Sequence, residues 1–140
     1  MAYLLDTNVV SEAIKPQPDE RALAWLEAQR GSSGYLSVLT LGEIEQGIIR
    51  SRSPRKAERL RQWLEEELKP RFQGRTLAID AQVMKTWGRM TGRALQSGRP
   101  VSYPDSLLAA TAVTHGLTLV TRNTKDVAAL PVQVLNPWEG

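Results

Sequence analysis

Short apolar runs alternate along this chain with longer stretches in which apolar residues recur every three or four positions. The short runs cover residues 3–5, 35–37, 76–79, 117–121 and 132–135. They are too apolar to alternate cleanly, as expected of strands covered on both faces. The longer stretches read as amphipathic helices with marked ends. One runs from about Asp19 to Gln29, with Ala22, Leu23, Trp25 and Leu26 on its apolar side, and stops at Gly31. A second, from Val38 to about Arg50, carries Leu41, Ile44, Ile48 and Ile49. Ser53-Pro54 gives a third its N-cap and a proline at the first helical position; it presents Ala57, Leu60, Trp63, Leu64 and Leu68 and ends ahead of Pro70. Asp80 caps a fourth, with Val83, Trp87, Met90 and Leu95, that runs out near Gly98. The fifth starts by Pro104 and carries Leu107, Leu108, Ala112 and Val113 up to Gly116. Strands alternating with helices imply an α/β fold with a parallel sheet.

With no repeat, low-complexity tract or long linker, residues 1–140 are expected to form a single domain. A chain of this length buries roughly 68–70% of the surface its unfolded form exposes, so it needs no staples. It has no cysteine and one histidine, His115, which excludes thiolate sites and sites built from several imidazoles. Any metal must therefore be held by oxygen. No apolar stretch approaches the ~20 residues of a membrane span, and a strand-like 2–5 stands where a signal peptide would carry basic residues. The expectation is a soluble, cytoplasmic protein that makes no membrane contact.

A net charge of +3 is modest, but the cations are unevenly placed. Arg50, Arg52, Arg55, Lys56, Arg59 and Arg61 form a cluster broken only by Glu58, and Lys85, Arg89 and Arg93 recur every four residues on one helical face. Both are candidate phosphate-contacting surfaces. A solvated helix face is the ordinary explanation of either. Trp25, Trp63, Trp87 and Trp138 read as core or interface residues and not as base-stacking platforms.

Four acids stand at junctions between an apolar run and the next element: Asp6, Glu43, Asp105 and Asp126. In a doubly wound sheet the first and fourth strands are neighbours at the switch point, so Asp6 faces Thr121 and Asn123 across the crevice where such sheets place ligands. Carboxylates gathered there repel one another, and a divalent cation removes that repulsion. Each acid also has a plainer reading. Asp6 can cap a short helix from Val9 to Ile14, Thr40 with Glu43 and Ser102 with Asp105 have capping-box spacing, and Asp126 can cap residues 127–130.

Residues 4–12 (Leu-Leu-Asp-Thr-Asn-Val-Val-Ser-Glu), 37–43 (Ser-Val-Leu-Thr-Leu-Gly-Glu), 104–112 (Pro-Asp-Ser-Leu-Leu-Ala-Ala-Thr-Ala) and 120–126 (Val-Thr-Arg-Asn-Thr-Lys-Asp) resemble, in order and spacing, the motifs of PIN-domain proteins. The resemblance spans almost the whole chain. It is closest to the VapC and FitB type toxins of bacterial toxin–antitoxin pairs, and Asn136-Pro137-Trp138 resembles the ending of the FitB branch. The resemblance implies a PIN-like three-layer fold, a five-stranded parallel sheet in the order 3-2-1-4-5 flanked by helices. It implies a Mg²⁺-dependent endoribonuclease, with Mn²⁺ able to substitute. Asp6, Glu43 and Asp105 match the three most regular acidic positions and are the expected catalytic residues. Asp6 and Asp105 are the expected direct ligands, and Glu43 acts through water, with Asn8, Thr121 and Asn123 around them. Where some members carry a fourth Asp directly after Thr-Arg, this chain has Asn123, and its next acid is Asp126, which either substitutes through water or caps a helix. Expected partners are an RNA substrate, a cognate antitoxin and a second copy in a homodimer, with DNA reached only through the antitoxin. His115, at a helix end, is a bystander stabilised by the helix dipole.

Two other classes compete. An antitoxin-bound regulatory subunit would use the acidic pocket chiefly to receive an antitoxin arginine. A phosphatase-like or response-regulator-like site would use Asp6 as nucleophile, but no lysine stands at a strand end to support it.

Overall fold

The computed structural model describes residues 1–29, 31 and 33–139. Five parallel strands, β1 (Tyr3–Leu5), β2 (Gly34–Ser37), β3 (Thr76–Leu77), β4 (Thr118–Val120) and β5 (Val134–Leu135), form one sheet in the order β3-β2-β1-β4-β5. The central register pairs Leu4 with Tyr35 on one side and with Leu119 on the other. Side chains alternate across the sheet, so neighbours along a strand feed different cores. Leu5, Leu36 and Val120 join one apolar cluster, while Leu4 and Leu119 join the other. Leu4 and Leu5 are both fully buried, a burial that contributes roughly 1.5–3 kcal/mol per side chain.

The first cluster is closed by α1 (Thr7–Val10) with its 3₁₀ continuation Ser11–Ile14, α2 (Glu20–Ala28), α3 (Val38–Arg50) and α4 (Pro54–Trp63). The helix of α4 runs on as far as α5 (Lys69–Arg71). The second cluster is closed by α6 (Ala81–Gln96) and α7 (Tyr103–Thr114). Gly98 and Gly116 take the left-handed conformation that ends these two helices (φ 69° and 66°). The next amides, of Arg99 and Leu117, return to the carbonyls of Ala94 and Ala112 at 2.8 Å.

Several sequence expectations change. The helix opened by Ser53 does not end ahead of Pro70. It passes through a π-helical segment, Leu64–Leu68, into α5. There the Lys69 amide bonds the carbonyl of Leu64 in the wider register, directly before Pro70, which has no N–H to donate. Ser37, not Thr40, caps α3, its hydroxyl accepting from the Leu39 amide at 3.0 Å. Asp6 caps a helix that starts at Thr7 and not at Val9. Asp126 does not cap residues 127–130: it lies inside a 3₁₀ turn, Thr124–Val127, with Asn123 before it. Ile49 and Leu95, expected on apolar faces, are exposed.

Candidate active site

The carboxyl ends of β1 and β4 meet where the chain order reverses, which opens a crevice above the sheet. The Asp6 amide still pairs with the Val120 carbonyl at 2.9 Å, so its side chain is launched from the last rung of the ladder. Its two oxygens do different things. Oδ1 caps α1, accepting from the Thr7 amide at 2.6 Å. Oδ2 accepts from Thr121 Oγ1 at 2.7 Å and from Asn8 Nδ2 at 3.4 Å. Capping and site chemistry are thus not alternatives for this residue. Thr121, 2% exposed, also accepts the Asn123 amide at 3.1 Å, while Asn8 Oδ1 takes the Arg122 amide at 3.4 Å.

Glu43 stands in the second turn of α3, where Thr7 Oγ1 donates to its Oε1 at 2.6 Å. Thr40, buried beneath, lies 3.3 Å from the same Thr7 hydroxyl. Asp105 stands in the first turn of α7, which suits its charge. Its Oδ2 accepts from Ser102 Oγ at 2.7 Å. The sequence pattern does not mark Thr7 or Thr40 as site residues. Only the fold carries α3 over α1, although a hydroxyl directly after Asp6 is a signal.

Burial, above all, pushes the Asp6 carboxyl above the ordinary aspartate value. The Thr121 and Thr7 hydrogen bonds oppose that rise, and the negative charges of Glu43 and Asp105 add to it. Among the described residues no lysine or arginine pairs with any of the three acids. This all-oxygen set with uncompensated charge fits a hard divalent cation. As they stand, no three His, Cys, Asp or Glu side chains among the described residues are gathered closely enough to hold an ion. Glu43 turns to Thr7 and Asp105 to Ser102. The fit is therefore to an ion gripped by one or two carboxylates and completed by water, as Mg²⁺ characteristically is.

The PIN domain family model matches residues 3–130. The chain belongs to the PIN domain family. Toxin FitB of Neisseria gonorrhoeae is 38% identical to this PIN domain over 135 residues, 96% of this chain and 97% of the relative. The VapC ribonuclease Y4jK of Sinorhizobium fredii is 35% identical over 136 residues, 97% of each. The crystal structure of FitAcB from Neisseria gonorrhoeae superposes with a TM-score of 0.93 at 38% identity, covering 99% of both chains. PIN-domain ribonucleases generally use divalent metal ions.

The remaining candidate residues of this PIN domain fall into three groups. Asp126 is exposed in its 3₁₀ turn; the charges that act on Asp6 are those of Glu43 and Asp105. Arg50, Arg52, Arg55, Lys56 and Arg59 are exposed around the α3–α4 turn, where Arg59 Nη2 donates to the Ile14 carbonyl at 3.0 Å. Lys85, Arg89 and Arg93 are exposed on α6, and His115 is exposed at the C-cap of α7. A groove of about 910 Å³ opens away from the acids, between the 3₁₀ continuation of α1, α2 and the α4–α5 helix, lined by Val10, Ile14, Leu26, Trp63, Leu68 and their polar neighbours. Among the described residues no helix is long and apolar enough to cross a membrane.

Proposed function

We propose that this PIN domain is the toxin of a toxin–antitoxin pair, a Mg²⁺-dependent endoribonuclease for which Mn²⁺ substitutes. The observation that carries the reading is Asp6, a buried carboxylate bonded by Thr121 and Thr7 and faced by two further acids, none of which pairs with a lysine or arginine among the described residues. Its likeness to a VapC ribonuclease and to toxin FitB along nearly the whole chain supports the same conclusion. When bound, the divalent ion lowers the pKa of a water molecule and offsets charge on the scissile phosphate.

Asp6 and Asp105 would hold the ion. Thr121 and Asn8 fix the Asp6 carboxylate through its Oδ2, and Asn123 steadies Thr121 through its amide. Glu43, oriented by Thr7, sits to position the attacking water and to accept its proton. Hydrolysis by water leaves 5′-phosphate and 3′-hydroxyl ends. The exposed cations of α3–α4 and α6 supply the positive rim that RNA needs to approach an acidic pocket. The chain acts as a homodimer and binds a cognate antitoxin, with DNA contacted only through that antitoxin.

The test is cleavage of end-labelled cellular RNA by protein freed of antitoxin, with Mg²⁺, with EDTA, and with Asp6→Asn purified identically. Discrete cuts that need both metal and Asp6 are expected. Cuts that persist in the variant would sink the reading. Antitoxin binding without turnover on any RNA would favour a regulatory subunit, a reading to which the separated carboxylates lend some weight.

A further inference from the structure

We infer that Arg122, seated on the ring of Trp138, grips an RNA phosphate at the mouth of the Asp6 pocket, and that Trp138 is the positioning residue that aims it. This rests on the ribonuclease reading and adds a contact for that substrate which the acidic residues cannot make.

The placement comes from the sheet. β4 and β5 pair through Val120 and Leu135, and the Thr121 amide bonds the Leu135 carbonyl at 3.0 Å, so the next segments leave side by side. Thr121 turns inward to Asp6, which leaves the next residue, Arg122, at the rim with its amide on Asn8 Oδ1. The opposite segment is tied to it. Asn136 Nδ2 donates to the Arg122 carbonyl at 3.3 Å, and Asn136 Oδ1 accepts the Trp138 amide at 2.9 Å. Trp138 packs against the first apolar cluster, and the Arg122 guanidinium lies over its ring, 5.3 Å from the centroid.

Lys15, Arg61 and Lys69 each meet a glutamate at 2.7–2.9 Å. Arg122 meets no carboxylate among the described residues, although it is joined through Thr121 to a buried aspartate under repulsion from two other acids. A long, flexible cation in that position would be drawn onto the acids, where it would compete with a divalent ion. Its place over the Trp138 ring holds it off. With no carboxylate or carbonyl taking its side-chain N–H groups among the described residues, those donors remain for phosphate oxygens. The same cation offsets the repulsion between a phosphodiester and the pocket. Trp138 Nε1 is buried with no hydrogen-bond partner among the described residues, so a phenylalanine ring can stand in for the indole without losing a bond.

The experiment uses the full chain freed of antitoxin. Retention of end-labelled cellular RNA on filters is measured in EDTA across a salt series, and folding is checked by thermal melting. Arg122→Gln is expected to weaken binding about tenfold and to reduce the slope of log affinity against log salt by about 0.7, the loss of one phosphate contact on a single strand. Trp138→Ala should reproduce most of both losses and, in a Mg²⁺ titration followed by melting temperature, weaken the cation's effect; Trp138→Phe should restore all three. With Mg²⁺ present, KM should rise in Arg122→Gln by more than kcat falls. If wild type binds and cuts RNA while Arg122→Gln keeps its affinity and salt slope, the contact does not exist. If a folded Trp138→Phe is as impaired as Trp138→Ala, the positioning role is overturned. Wild type that neither binds nor cuts RNA removes the ribonuclease reading and this inference with it.

Discussion

Asp6 caps the start of a short helical segment and Glu12 lies in the 3₁₀ turn that continues it, both almost wholly buried, and their environments push them in opposite directions. For Glu12, burial alone would raise the carboxyl. The Asp19 amide on Oε2 at 2.7 Å and the Lys15 ammonium at 2.9 Å from Oε1 more than offset it, and the carboxyl lies below its ordinary value. For Asp6, hydroxyl and amide donors do not offset burial, and the neighbouring charges are negative. A buried acid with its own cation is part of the fold, tying the 3₁₀ continuation of α1 to Lys15 and to Asp19 at the start of α2. A buried acid with hydrogen-bond donors but no cation is prepared for a ligand that brings the positive charge.

The largest effect that would sharpen this contrast is on cleavage. Asp6→Asn should lower the Mg²⁺-dependent rate by more than the roughly 10–100-fold that loss of a supporting partner costs, while Glu12→Gln, assayed below its melting temperature, should stay near wild type. Comparable losses in both would erase the distinction. Thr121→Val removes the donor to Asp6 Oδ2 and should fall within the about 10–100-fold range for metal affinity, read from the Mg²⁺ concentration at half-maximal rate. A variant with unchanged Mg²⁺ dependence would show that the threonine only fills space.

Stability should divide the pair the other way. Glu12→Gln should cost about 1–3 kcal/mol in denaturant unfolding, because Lys15 and the Asp19 amide lose a charged acceptor. The carboxyl's depressed pKa means that this contribution is present above the ordinary glutamate value and is lost as pH falls through the folded value. Asp6 has the opposite sign: its raised pKa favours the protonated form in the fold, so in EDTA its contribution declines as pH rises from the ordinary aspartate value through the folded one. The smallest effect comes from this opposition. Asp6→Asn should melt slightly above wild type in EDTA at neutral pH, and added Mg²⁺ should narrow or reverse the gap by stabilising wild type alone. A variant that melts lower in EDTA would mean that the charge is welcome where it sits.

The sequence was legible where strands announce themselves locally. Asp6 and Thr121 come directly after β1 and β4, so their arrival at one crevice is a consequence of parallel order alone. The hydrogen bond from Thr7 to Glu43 joins residues 36 positions apart and depends on how α3 lies across α1, which no local pattern encodes. The same is true of Arg122 on Trp138: the tryptophan reads as a core residue, and it becomes a platform only because β5 runs beside β4. Propensity rules mislead where a neighbour competes. Ser37 is the better-placed cap and displaces Thr40, and exposed Ile49 and Leu95 show that an apolar residue on a helix need not face the core.

The π-helical segment Leu64–Leu68 makes this part of the chain sensitive to length as well as to composition. It accommodates one residue more than an ordinary helix would over the same rise. Deleting one residue there would therefore remove the bulge while the helix on either side keeps nearly its facing. Trp63 would still line the groove beside α1, but Pro70 would press on the carbonyl one turn back. The strain of a one-residue deletion would fall on the proline and leave every acidic side chain of the crevice untouched, so chain length here is tied to stability and not to the chemistry.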